Sequence, residues 1–192
     1  MDIQNARLNT AGAYVCVNGL YVFAMGARPH NGNIPVVRLG GRREGNETGW
    51  PCAWREAQEE SELDIRPLIP TKTFLADGDS LDADLREIQW DHPLDECDPL
   101  LIVAYRRAGG VLLSLMYLAQ ADGYPRPSSE VKGLLLLREA EVHWLCNESI
   151  TLEQYIRSGG QALLDYQFDQ NMLLEPFAQL RLFSKILKKQ SA

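Results

Sequence analysis

The sequence predicts an α/β chain of the α+β type, and three observations predict it. Short apolar, β-branched runs separated by turn residues fill the first two-thirds of the chain, one helix-like segment interrupts them early, and the period turns helical after Glu139. At 192 residues, with 45% hydrophobic and 23% charged side chains, the chain has the size and composition of one folded domain and not of a disordered or low-complexity polymer. We read 1–192 as a single domain, with its core over about 13–145 and a helical C-terminal extension over about 150–190.

The runs Ala13–Val17 and Leu20–Met25 flank Asn18-Gly19, the strongest short hairpin signal. Ile34–Leu39 is a further β-branched run that delivers the chain into Gly40-Gly41. Thr48 is placed to cap a helix that tolerates Pro51 in its first turn, and Ala53, Ala57 and Ser61 give it a small-residue face suited to close packing on a sheet. A helix over Trp50–Leu63 follows. Ile65–Leu75 reads as an edge strand interrupted by Pro67 and Pro70.

Asp77–Asp98 holds nine carboxylates against Arg86 alone, which predicts a solvated excursion with a short strand near Leu85–Trp90. Leu100–Tyr105 and Val111–Ala119 form a second hairpin, and Val131–Leu137 is the last strong strand. The tail reads as helices over Glu139–Leu145 and Leu152–Ile156, then an amphipathic run through Leu173, Leu174, Phe177, Leu180, Phe183, Ile186 and Leu187. Packing of that stripe on the core is the expectation, with a homodimer seam as the sharper alternative.

Charge and cysteines bound the function. Twenty-six acidic against nineteen basic side chains give a formal net charge of -7, which disfavours stable nucleic-acid binding or an anionic membrane surface as partner. Any phosphate ligand then needs local cations or a metal. The polar segment Met1–Asn9 lacks the apolar core of a secretory signal, and no apolar run approaches the ~18–20 residues that span a bilayer, so a cytoplasmic location is expected. Cys16, Cys52, Cys97 and Cys146 lie 36, 45 and 49 residues apart without a CxxC pair, and are expected to be reduced thiols.

The densest chemistry lies in Gly41–Glu60. Glu56, Glu59 and Glu60 stand at i, i+3 and i+4, crowding three carboxylates on one helix face, and such a set repels itself unless a cation joins it. Hard oxygen ligands suit Mg²⁺ or Mn²⁺. An acidic solvated helix face is the plain alternative. Around the cluster stand Arg42 and Arg43, a further carboxylate Glu47, and Arg55, whose fork can orient a neighbouring carboxylate.

Gly41, five residues, Glu47, seven residues, then Arg55-Glu56-Ala57-Gln58-Glu59-Glu60-Ser61-Glu62-Leu63 resembles the Nudix box over its 23 positions, with every charged position kept. Glu62 stands where the box has glycine, Ala57 is small for its apolar slot, and Leu39 precedes the double glycine where many members have proline. The glycine change bears on how the chain leaves the helix, because that exit ordinarily uses a positive φ.

The resemblance implies an α/β/α sandwich around a mixed, mostly antiparallel sheet. It also implies a metal-dependent hydrolase that cleaves a phosphoanhydride in a nucleoside diphosphate linked to a group X. On this footing Glu56, Glu59 and Glu60 would hold Mg²⁺ or Mn²⁺, with the Gly40 carbonyl as a further ligand; Arg55 would orient Glu56, and Glu47 would help fix Arg55 or join the metal shell through water. Glu130 stands where members often place a further catalytic glutamate, and Arg42, Arg43 and Arg28 are candidates for phosphate contact. Signatures of particular substrate subfamilies are absent. A catalytically silent nucleotide-binding module is the alternative, and a prenyl diphosphate isomerase is a weaker one.

Overall fold

In the computed structural model, which describes residues 6–26, 30–80, 83–90 and 97–190, the first hairpin forms as its turn requires. Strands β1 (Arg7–Val17) and β2 (Leu20–Met25) meet through Asn18 at φ 50° and Gly19 at φ 80°, the paired positive φ values of a hairpin turn whose twist matches its strands. β3 (Ile34–Arg42) pairs antiparallel with both, placing Gly40 opposite Gly12 and Gly41 opposite Ala11. The two glycines touch: a Cβ on Gly12 would fall 2.3 Å from the Leu39 carbonyl oxygen, and one on Gly40 would fall 2.4 Å from the Gly12 Cα. No side chain fits on either.

Helix α1 (Gly49–Ser61) begins at Thr48, whose backbone is extended but whose side chain makes no capping bond. It ends at Glu62, which takes φ 58° and ψ 18° and closes the last turn through its N–H to the Gln58 carbonyl. The stretch expected as one proline-interrupted strand is two, because Pro67 and Pro70 withhold ladder donors. β4 (Ile65–Leu68) pairs with one strand alone, and β5 (Thr73–Asp77) joins the sheet elsewhere. β6 (Arg86–Ile88) is the short strand expected within the acidic segment.

That segment is less solvated than its charge suggested. Asp77 and Asp79 pair with Arg106 and Arg107 at 2.9 and 2.7 Å, while Ala83 and Leu85 are buried in the core. The basic loop supplies the countercharge that the acidic segment itself lacks. Asp82, Asp91, Asp95, Glu96 and His92 lie outside the described residues.

The second hairpin is β7 (Leu101–Arg107) and β8 (Gly110–Ala121), followed by β9 (Gly133–Leu137), α2 (Glu139–Asn147) and α3 (Leu152–Arg157). Beyond α3 the expectation of an all-helical tail needs correction. β10 (Gln161–Leu164) adds to β9, and β11 (Leu174–Pro176) lies parallel to β3, before α4 (Ala178–Gln190) closes the chain. Leu173 and Leu174 share the apolar character of the later stripe, but Pro176 ends any helical register there.

Among the described residues eleven strands form one mixed sheet, in the order β10-β9-β2-β3-β1-β8-β7-β5-β6 with β11 on β3 and β4 on β8. Eight of its strand pairs are antiparallel, and β1–β8, β5–β7 and β3–β11 are parallel. Two buried clusters lie on its two faces. One includes Cys52, Ala53 and Ala57 of α1; the other takes Val142 and Leu145 of α2, Tyr155 of α3, and Leu180, Phe183 and Ile186 of α4. The stripe of α4 therefore packs on the core, with Phe183 stacked on Tyr14 at 4.0 Å between ring centroids. Among the described residues α1 is the helix on one face, held close by the small side chains of its inner face.

Candidate functional site

The double glycine of β3 and the C-terminal half of α1 face each other, and their contacts explain the box residue by residue. A Cβ on Gly41 would meet the Glu56 carboxylate at 2.2–2.4 Å, so glycine leaves the space that carboxylate fills. One turn on, Glu60 Oε2 accepts the Gly40 N–H at 2.8 Å, tying the end of β3 to the helix.

Arg55 gathers the other carboxylates. Its Nε and Nη2 donate to the two oxygens of Glu47 at 2.8 and 3.1 Å, and its Nη1 donates to Glu56 Oε1 at 2.9 Å and Glu59 Oε2 at 2.8 Å. Nη2 also reaches the Arg42 carbonyl at 3.0 Å. Planar geometry makes this possible, since a guanidinium offers five donors in a fixed fork. Glu47 is itself held in place by the Glu44 N–H at 2.9 Å, and the Arg43 Nε donates to the Glu47 carbonyl at 2.7 Å.

The electrostatics divide the carboxylates. The Arg55 hydrogen bonds hold the Glu47 carboxyl down to about 2. Burial pushes Glu56 above the ordinary carboxylate value against the pull of Arg55, and pushes Glu60 up to about 7 against the Gly40 N–H and the field of Arg38. Burial likewise raises the Cys52 thiol to about 11. Glu56 is only 9% exposed. The pocket of the box thus disfavours bare negative charge at the two carboxylates nearest the glycines.

Among the described residues no three histidine, cysteine, aspartate or glutamate side chains converge into a ready-made metal shell. The reason is visible in the bonds: Arg55 serves as internal counter-ion to Glu56 and Glu59, while Glu60 turns to Gly40. Glu130 lies on the exposed loop before β9, with its N–H on Ser128 Oγ at 3.2 Å, near enough for its charge to act on Glu60. Arg42 is exposed and contributes its carbonyl to Arg55. Arg28 lies outside the described residues. Trp50 packs edge-on against Tyr117, whereas Trp54 stands 37% exposed with its Nε1–H on Asp64. The four cysteines are free thiols.

One residue was missed from sequence. Arg38 of β3 sits on the sheet face opposite α1, its Nε is buried without a hydrogen-bond partner, and its charge acts on Glu56, Glu60, Tyr14 and Tyr105. The signal that could have found it is an arginine inside the buried run Ile34–Leu39.

A three-layer α/β/α sandwich with this loop–helix–loop at one end of a mixed sheet defines a known class of folds. No protein-family model matches the chain, and no curated protein does. Among solved structures, a Nudix family hydrolase from Clostridium perfringens is 14% identical, with 98% of this chain and 99% of that one covered and a TM-score of 0.52. The MutT protein from Methanosarcina mazei Go1 is 9% identical, with 97% of both chains covered and a TM-score of 0.53. The chain has the Nudix fold along nearly its whole length. No helix of the described residues is long and apolar enough to cross a membrane.

Proposed function

We propose that the chain is a Nudix-type pyrophosphohydrolase, cleaving a phosphoanhydride in a nucleoside diphosphate linked to a further group with the help of Mg²⁺ or Mn²⁺. The observation that carries this reading is the Glu47–Arg55–Glu56/Glu59 network set beside Glu60 on the Gly40 N–H. A merely solvated acidic helix face would not be tied into one hydrogen-bonded unit, nor keep glycine at the one position where a side chain would displace Glu56.

The residues fit a hard divalent cation. Glu56, Glu59 and Glu60 would hold it, with the Gly40 carbonyl and Glu47 beside them, because burial leaves Glu56 and Glu60 in want of positive charge. Such an ion neutralises a bound pyrophosphate and lowers the pKa of an attacking water. Arg55 keeps the carboxylates aimed, and its hold on Glu47 fixes the loop ahead of α1. Glu130, near enough for its charge to act on Glu60, is the candidate general base. Arg42 and Arg43 flank the same loop as candidate phosphate contacts.

The test is formation of nucleoside monophosphate, separated by chromatography, from a panel of nucleoside triphosphates, ADP-ribose, nucleotide sugars and dinucleotides, with Mg²⁺, with Mn²⁺ and with EDTA. Metal-dependent turnover that falls by about 100-fold or more in Glu56→Gln and Glu60→Gln, with unfolding curves still cooperative, is expected. Turnover retained in both variants sinks the assignment. Nucleotide binding without turnover by the unaltered protein would move the reading to a silent binding module.

A further inference from the structure

The sheet face opposite α1 carries a feature that the box does not use. Arg38 has its Nε buried 3.0 Å from where a Gly12 Cβ would be, and the residue lines a cleft with Thr10, Tyr105 and Gln179. Tyr105 also lines an adjoining cavity of about 380 Å³ beneath α4, within the size range of small-molecule sites. Three cations of that helix, Arg181, Lys185 and Lys188, stand on its wall. They follow at i, i+4 and i+7, so they share one face of α4, away from the stripe that packs on the core.

The cavity runs against the character of the molecule. The chain carries a formal charge of -7, yet the described carboxylate on this wall, Asp77, is already paired with Arg106 at 2.9 Å. Lys185 Nζ bridges to the Ala83 carbonyl at 3.1 Å, and Arg181 Nε to that of Pro176 at 3.0 Å, which fixes their stems. Among the described residues neither Arg181 nor Lys188 forms an ion pair with a carboxylate. The order β3-β1-β8-β7 puts three inter-strand steps, ~14 Å, between the box glycines and Tyr105. That spacing is the reach of a substrate whose pyrophosphate lies at the box and whose far end enters the cavity.

We infer that this cavity beneath α4 seats the end of the substrate remote from the box carboxylates, and that this end carries an anionic group, a phosphate or a carboxylate. The inference rests on the pyrophosphohydrolase reading above. Arg38, which lines the neighbouring cleft with Tyr105, adds a further positive charge between the two ends.

Two matched pairs test it, each differing by one distal anion: NADP against NAD, and UDP-glucuronate against UDP-glucose. The first places the charge on the nucleoside side and the second on the X side. In at least one pair kcat/KM is expected to favour the anionic member by about tenfold or more, and the Arg181→Glu/Lys188→Glu double variant to bring that ratio to about one or below. Both positions are exposed, so the variant is expected to fold, which its melting curve checks. Ratios within about twofold in both pairs, or a ratio that survives the charge reversal, overturn the inference. Where none of the four compounds is turned over, the wider panel decides the hydrolase reading, and calorimetric Kd values for the same pairs decide the cavity separately. An anionic preference lost in the variant upholds it, and equal or absent binding overturns it.

Discussion

Glu62 takes a left-handed conformation that costs an L-residue roughly 1 kcal/mol, at the place where α1 must release the chain. The conformation is forced by closure: its N–H completes the helix on Gln58 while Leu63 turns into the core beneath α1. Glu62→Gly is expected to raise stability by about 0.5–1 kcal/mol in urea unfolding, with the box hydrogen bonds and metal dependence unaltered. Glu60 gives a prediction in pH. Its folded-state pKa of about 7 lies above the ordinary 4.5, so the folded chain keeps a proton that the unfolded chain surrenders between those values. Its contribution is therefore full below about pH 4.5 and is lost as pH rises through 7. Metal-free Glu60→Gln, still able to accept from Gly40, is expected to be more stable than the parent at pH 8.5 by on the order of 1–3 kcal/mol and about equal at pH 4.5. Equal stability at both pH values would show that Glu60 is not held in a desolvated state. At this scale the carboxylates and Arg55 were legible, because their spacing is local to one loop and helix. Arg38 was not, since its meaning comes from Gly12 and Tyr105, which reach it only through the sheet.

Elements were readable wherever a turn or a period is written locally. Asn18-Gly19 announced the first hairpin, and the small-residue face announced α1, whose Thr48 stands at the N-cap without a capping bond. β10 and β11 were missed because each is at most four residues long and is a strand only by virtue of a partner elsewhere: β9 for one, β3 for the other. The parallel pairing of β1 with β8 across about a hundred residues leaves no local trace either. α4 was legible from its stripe, and its value to the fold can be measured. Phe183 stacks on Tyr14 and meets Tyr21 edge-on at 4.8 Å, while Tyr14 donates to the Gln179 carbonyl at 2.8 Å. Phe183→Ala should cost about 3–5 kcal/mol in chemical denaturation. A loss under 1 kcal/mol would mean that α4 is docked far more loosely than its contacts indicate.

For the molecule as a whole, the box is a reservoir of negative charge lined by burial, and a bound cation should be felt globally. Mg²⁺ or Mn²⁺ at about 100 times its Kd is expected to stabilise the fold by about 2.7 kcal/mol, read as a higher Tm, with the effect reduced in Glu56→Gln. An unchanged Tm across a metal titration would count against the metal site. The pairing of β11 with β3 has a different consequence, in the order of synthesis. The box and most of the sheet are made early, yet the Ile34–Val36 edge of β3 stays open, and Tyr14 lacks its stacking partner, until β11 and α4 emerge. A nascent chain stalled before Leu174 would present that unpaired edge to its neighbours, a template for mispairing that the finished fold covers.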